Sequence, residues 1–192
     1  MKKAAKFALI KTIPIFLGYL FLGIAFGLLL QKSGLGVFWA FLISTLVYAG
    51  SMQFALVGIL TGGLSYVTTA VMTLFINSRH AFYGLTFIER FKEMRKTYPY
   101  MVFSLTDETY SLLCSMSRPS DFTDREWKAA TFFTSFFDQC YWIAGSVLGA
   151  LMGELITFDT TGIDFAMTAL FVVICVDQWK AAKTHIPAVT GF

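Results

Sequence analysis

The sequence predicts an all-α membrane protein of about six transmembrane helices, some of them broken near the midplane. Three observations predict it. Of 192 residues, 56% are hydrophobic and only 14% charged, against about 25% charged in a typical soluble domain. The stretch from Ser33 to Ser78 contains no Asp, Glu, Lys or Arg. About 20 residues of helix already cross about 30 Å of hydrocarbon, so this stretch suits two crossings, with a turn at Thr61-Gly62-Gly63. It ends in Asn77-Ser78-Arg79-His80, before the further apolar run Ala81 to Ile88. Ionisable groups inside a membrane are costly, and where they occur they point to function.

Composition also excludes several classes. A net charge of +3 is a small surplus at the ends of spans, and no basic folded face is present for nucleic acid. Cys114, Cys140 and Cys175 lack CxxC or Cys/His spacing, so neither a metal site nor a disulfide framework is expected, and they read as small buried apolar side chains. No cofactor is implied. Lys2, Lys3, Lys6 and Lys11 precede an apolar run from Thr12 to Gln31, which is longer than a signal-peptide core. It reads as a retained first span.

Span one is about Thr12 to Leu30, with Pro14 in its first turn, where a missing N–H is harmless. Gly23 and Gly27, four apart, lie on one face and allow a close helix neighbour. Span two, Val37 to Leu60, contains Tyr48-Ala49-Gly50-Ser51-Met52-Gln53-Phe54. In a regular helix Ser51 and Gln53 point about 200° apart; a break near Gly50 would bring them together, as in the discontinuous helices of secondary transporters. Simple packing of Gly50 and Ser51 is the competing reading. Span three, Leu64 to Ile88, carries the stripe Thr69, Thr73, Asn77, His80 and Gly84, with Arg79 beside it.

Glu89 to Tyr98 reads as a polar loop. Span four, Pro99 to Met116, carries Ser104, Asp107, Glu108, Ser111 and Ser115 as one helical stripe. Two adjacent carboxylates at such depth must be paired, protonated or wet, and an ion pair of Arg79 with this pair is the simplest structural reading. Recognition of a cation, or a proton relay, is the functional one. Arg118 to Lys128 reads as a second loop. Span five, Ala129 to Met152, has a polar stripe Thr131, Ser135, Asp138, Gln139 and Trp142, then the row Gly145, Gly149, Gly153. That row would pack against its own fold or against another copy in a homo-oligomer. Span six, Phe165 to Trp179, ends at Asp177-Gln178-Trp179-Lys180, with Asp177 at the membrane surface.

Six crossings with the N-terminus inside leave nine Lys/Arg on the cytoplasmic side and five outside, which favours a cytoplasmic N-terminus. The loop Arg90 to Lys96 runs against it. A sparse echo, Ser51-Met52-Gln53 against Ser135 with Asp138-Gln139, suggests one transmembrane domain over 1–192, made of two inverted repeats, 1–97 and 98–192.

Three motifs taken together resemble the AzlC family of bacterial branched-chain amino acid permeases. They are Gly50-Ser51-Met52-Gln53-Phe54, Asn77-Ser78-Arg79-His80-Ala81-Phe82-Tyr83-Gly84 and Leu105-Thr106-Asp107-Glu108-Thr109-Tyr110. The resemblance implies an inner-membrane exporter of valine, leucine, isoleucine and methionine, working with a small AzlD-type membrane subunit. The family continues with apolar sequence after His185-Ile186-Pro187-Ala188, whereas this chain stops at Phe192. A last helix is therefore expected to be missing or supplied by a partner.

Such a substrate is a zwitterion with an apolar tail, so its site needs donors, acceptors and an apolar pocket. Arg79, or N–H groups near Ser51 and Gln53, would meet the carboxylate. Asp107 or Glu108 would meet the ammonium or carry a coupling proton, while Phe54 and Phe82 would shape the pocket. His80 could titrate near neutral pH or stay neutral and hydrogen-bonded. Asn77, Asp138 and Gln139 complete the candidate set. A transporter of another small solute, an intramembrane enzyme and a purely structural subunit are the rivals. Against the enzyme, neither GxSxG nor HExxH occurs, and no GxxxxGK[ST] loop offers ATP-driven pumping.

Overall fold

A computed structural model describes residues 1–155 and, beyond them, the helical positions 165, 168, 169, 172, 176 and 179. Cys175, Asp177 and Gln178 of span six, and Lys180 after it, therefore lie outside the described residues. Seven α-helices form the first 155 residues: α1 (Lys2–Lys32), α2 (Val37–Leu46), α3 (Gly50–Gly62), α4 (Tyr66–Lys92), α5 (Tyr98–Phe103), α6 (Asp107–Ser115) and α7 (Asp124–Leu155). The all-α membrane fold is as the composition dictates. α1 is long and apolar enough to cross a membrane. α4 and α7 are as long, at about 1.5 Å per residue, but carry charge within them. Leu17, Phe21, Leu74, Phe75, Phe82 and Leu148 are exposed, whereas Ser44, Gln53, Thr109, Asp138 and Ser146 are buried. Large apolar side chains thus face outward while polar ones are buried among the apolar core, as a bilayer solvent allows.

The scaffold is the pair α1 and α7, which run parallel. Thr12 meets Tyr141 at one level, Gly23 meets Gly145 higher up, and Gln31 meets Gly153 at the far end. Glycine is required along this seam. A Cβ on Gly27 would collide with Ser146 O and sit 2.6 Å from Ala150 N, and one on Gly149 would collide with Ile24 O. Small residues that let membrane helices approach backbone to backbone gain dispersion contacts that larger side chains forbid. Both glycine rows therefore serve this chain's own packing.

Spans two and four each fold back on themselves. α2 starts beside Gln31, at the far end, and descends until Thr45 O accepts from Gln139 Nε2. The chain turns at Val47–Ala49, with Tyr48 at φ +39, a left-handed conformation that side chains rarely adopt. α3 then climbs back, with Phe54 edge-on to Phe26, and ends at Gly63, φ +59. From there α4 runs the whole way down, since Arg90 donates to Thr131 and Glu93 pairs with Lys128. α5 enters from this lower end and rises until Phe103 meets Tyr48. After a break at Ser104–Thr106, α6 returns, and Arg90 donates to Leu113 O near its end.

The described architecture is thus three through-going helices and two hairpins that enter from opposite ends and meet at their tips. Non-helical backbone at membrane depth is tolerated only inside protein, and Tyr48, Ser104, Leu105 and Thr106 are all buried. The expected single stripe from Ser104 to Ser115 is corrected accordingly, because Ser104 precedes the break.

Three other expectations change. α1 begins at Lys2, so Pro14 lies well inside it and removes the bond to Ile10 O. α7 begins at Asp124 rather than Ala129. Thr123 and Glu126 form a reciprocal capping box, in which Thr123 N and Oγ1 donate to Glu126 Oε2 and Glu126 N donates to Thr123 Oγ1. The backbone N–H of Thr123 holds the Glu126 carboxyl below its ordinary range. Finally, Cys114 and Cys140 are exposed rather than buried.

The seam predicts a graded response. Gly27→Ala or Gly149→Ala should lower stability by about 1–3 kcal/mol, the usual cost of overpacking. Gly18→Ala, with nothing within 4 Å of its added Cβ, should be silent. Thermal aggregation followed by size-exclusion chromatography checks this; equal melting points for all three variants would contradict the seam.

Candidate functional site

The hairpin tips meet where α4 presents Arg79. α3 starts after Ala49, which provides no side-chain cap, so the N–H groups of Gly50, Ser51 and Met52 have no intrahelical acceptor. α6 starts after Thr106, whose hydroxyl caps Thr109 N, and places Asp107 and Glu108 in its first turn. Acids are favourable at that positive end of the helix dipole. Arg79 joins the two starts. Its Nη2 donates to Ser51 Oγ at 2.7 Å and pairs with Asp107 Oδ2 at 2.9 Å. The expected ion pair is present, and Arg79 lies midway along α4.

Both carboxylate oxygens of Asp107 have a partner, since Tyr83 OH donates to its Oδ1 at 2.7 Å. Arg79 keeps an unmet donor: among the described residues its Nε is buried without a partner, and so is Asn77 Oδ1 on the same helix. About a quarter of the Arg79 side chain and a fifth of Asp107 remain exposed, at 24% and 21%. The pair is therefore only partly enclosed. His80 stands edge-on to Tyr83, ring centroids 5.9 Å apart.

The remaining candidates divide. Ser51 belongs to the Arg79 cluster, but Gln53 does not join it. The break lies before both residues, so they occupy one regular helix and point apart. Gln53 is buried, accepts from Trp142 Nε1 at 2.8 Å and donates to Ser44. Phe54 is buried against Phe26, and Phe82 is 68% exposed on the outer face, so Phe82 lines no pocket here. Gln139 ties the two hairpins together, accepting from Tyr100 OH at 2.8 Å and donating to Thr45 O. Glu108 accepts from Tyr19 OH at 2.9 Å, and Asp138, fully buried, accepts from Thr109 Oγ1 at 2.8 Å. Tyr19 was invisible in the sequence because nothing distinguishes it from the apolar residues around it.

The profile of the AzlC family, described as AzlC protein, matches residues 14–156. The chain belongs to the AzlC family. The match covers every residue of the Arg79 cluster. Among curated relatives, the branched-chain amino acid transport protein AzlC of Bacillus subtilis is 37% identical over 180 residues, covering 94% of this chain and 70% of the relative. An uncharacterized membrane protein of Helicobacter pylori is 36% identical, covering 98% and 82%. The inner membrane protein YgaZ of Escherichia coli is 27% identical, covering 74% and 58%. No solved structure matches this AzlC-family chain.

The pair invites a double-mutant test. Arg79→Ala should lower the amount of folded protein through an uncompensated carboxylate, costing about 1–3 kcal/mol for a partly exposed pair. Arg79→Ala with Asp107→Asn should recover most of that loss. Recovery is read as monodisperse yield and melting temperature; a strictly additive double variant would deny the coupling.

Proposed function

We propose that this AzlC-family chain is a secondary transporter that exports branched-chain amino acids, with methionine as a further substrate, across the bacterial inner membrane. The observation that carries this reading is Arg79. It stands at mid-depth with an unspent Nε, beside the uncapped start of α3 and in contact with Asp107. A zwitterion needs both signs a few ångströms apart, and this ion pair supplies them. The substrate carboxylate takes the Arg79 guanidinium and the α3 N–H groups, while the ammonium takes Asp107 or Glu108. The apolar tail lies against neighbouring aromatic side chains. The transport name of the Bacillus subtilis relative supports the substrate class. The sequence has no nucleotide-binding loop for ATP-driven pumping by this chain alone, and a proton is a coupling ion that the acidic residues suit.

The hairpins bear on orientation. Because spans two and four turn back, Arg90 to Lys96 lies at the same end as the N-terminus, where Lys3 pairs with Asp121. Arg118, Arg125 and Lys128 lie there too, and among the described residues Lys32 is the basic residue at the other end. Six crossings would put Arg90 to Lys96 opposite the N-terminus; two hairpins return it to the N-terminal end. This supports a cytoplasmic N-terminus. The reading also treats 1–97 and 98–192 as two repeats, each contributing one hairpin, completed by a small AzlD-type subunit.

Radiolabelled leucine and valine efflux from cells, with this chain alone and with an AzlD-type subunit, tests the function. Efflux should accelerate with the pair, and Arg79→Ala or Asp107→Asn should cut the rate about 10- to 100-fold, as for loss of a charged hydrogen bond. The rescued double variant should fold and still not transport. Wild-type rates in correctly inserted variants would defeat the assignment. For orientation, single cysteines at Arg95 and Lys32 should react from opposite sides with a membrane-impermeant maleimide, Lys32→Cys from outside. Labelling of both from one side would reject the hairpins.

A further inference from the structure

Behind the Arg79 pair, Glu108 and Asp138 are joined by three hydroxyl groups. Tyr19 OH lies 2.9 Å from Glu108 Oε2 and 2.6 Å from Thr106 Oγ1. Thr106 Oγ1 is 3.1 Å from Thr109 Oγ1, which is 2.8 Å from Asp138 Oδ2. Tyr19, Thr106, Thr109 and Asp138 are all buried, so no bulk water competes for these bonds.

Counting hydrogens constrains the protonation state. The chain has four oxygen–oxygen links, and its three hydroxyls bring one hydrogen each. With both carboxyls ionised, one link must set two lone pairs face to face, and three of the four links lie between buried groups. With both protonated, one hydrogen is left over. A single proton on either carboxyl fills every link, with all the bonds pointing away from the protonated end. Thr106 tolerates both polarities, because Thr109 N already occupies one of its acceptor positions and leaves one donor and one acceptor for the chain. An independent observation agrees: Asp138 Oδ1 is buried with no partner among the described residues.

We propose that Glu108 and Asp138 share one proton and pass it between them through Tyr19, Thr106 and Thr109. This deepens the carrier reading and rests on it for its purpose. In the step, the Glu108 O–H bond breaks and its hydrogen goes to Tyr19. Tyr19 gives its own hydrogen to Thr106, Thr106 to Thr109, and Thr109 to Asp138, where a new O–H forms. One proton moves, no electron does, and each hydroxyl ends with one hydrogen. Glu108, half-buried, is the end that exchanges with water; Asp138 is the enclosed end. Asp107 from the same helix and Arg79 from α4 act on Glu108, while Tyr48, between α2 and α3, and Tyr100 of α5 face Asp138. When the proton sits on Asp138, the charge on Glu108 adds to that of Asp107 at the ammonium site. When it sits on Glu108, that charge is gone. Proton position and substrate affinity are thereby linked.

Infrared spectroscopy of the reconstituted, unmutated chain tests this without any transport assay. A carboxylic-acid C=O band should be present at neutral pH, and carbon-13 carboxyl labels on aspartate and on glutamate should each shift part of it. Glu108→Gln and Asp138→Asn should each abolish the band, since an amide N–H supplies the missing hydrogen. No band at neutral pH, a band moved wholly by one label, or a band that survives both substitutions would overturn the shared proton. Efflux without the band sinks the relay and spares the carrier; the band without efflux sinks the carrier reading alone.

Discussion

The arrangement depends on one cation at mid-depth. Two half-helices begin there, α3 and α6, and each presents the positive end of its dipole to the same small volume. Left alone, these ends and their unmade N–H groups are intolerable in hydrocarbon. Carboxylates answer that field, and Asp107 and Glu108 sit in the first turn of α6. Two adjacent carboxylates then need a cation, which α4 supplies as Arg79. Because one Nη2 reaches both Ser51 and Asp107, a single side chain fixes the two hairpin tips relative to each other. Lysine would be a poor substitute, since its compact ammonium lacks the planar fork that leaves Nε available while Nη2 is engaged.

The sequence made the chemistry of this centre legible but not its path through the membrane. Arg79, Asp107 and Ser51 stood out because polar residues in a charge-free apolar run must have a reason, and the ion pair followed from cost alone. The break near Gly50 was legible from the glycine and serine. What hydropathy could not report was direction. A stretch of about 24 apolar residues has the length of a crossing whether it crosses or folds back on itself, and α2 with α3 has that length. The turn falls on Val47-Tyr48-Ala49, which contains neither Gly nor Pro, so the usual punctuation was missing. One signal was present: the basic cluster Arg90 to Lys96 on the wrong side of a six-crossing topology, a contradiction that the hairpins remove. The start of α7 was likewise written in Thr123 and Glu126, and was hidden by the charges between them.

The hydroxyl chain behind the ion pair illustrates why a polar stripe is a poor guide to roles. Asp138 and Gln139 are sequence neighbours on α7, yet one closes a row of hydroxyls and the other clamps Tyr100 to Thr45. Gln53, expected beside Ser51, instead locks α3 to Trp142. Amide side chains, with both a donor and an acceptor, suit such clamps; carboxyls, which change what they offer when a proton moves, suit the row. The division of labour follows from hydrogen-bonding capacity.

The two kinds of packing in this fold constrain how such a site can be opened alternately to either side. Along α1 and α7 the backbones are in contact at Gly23, Gly27, Gly145 and Gly149, and a seam without side chains has no rotamers through which to slide. α4 is held differently. Its buried residues are Phe87 and Phe91, both toward its lower end, and its link to the hairpin tips is through Arg79 and Tyr83. A seam of backbone contacts is a single well, since any shift along it produces a collision. A link of charged and hydroxyl groups can be exchanged for a substrate carboxylate and ammonium at little net cost, because each lost bond is replaced by one of the same kind. In the carrier we propose, substrate binding acts on the junction that can yield, between α4 and the two hairpins, and leaves the α1–α7 frame as the fixed reference.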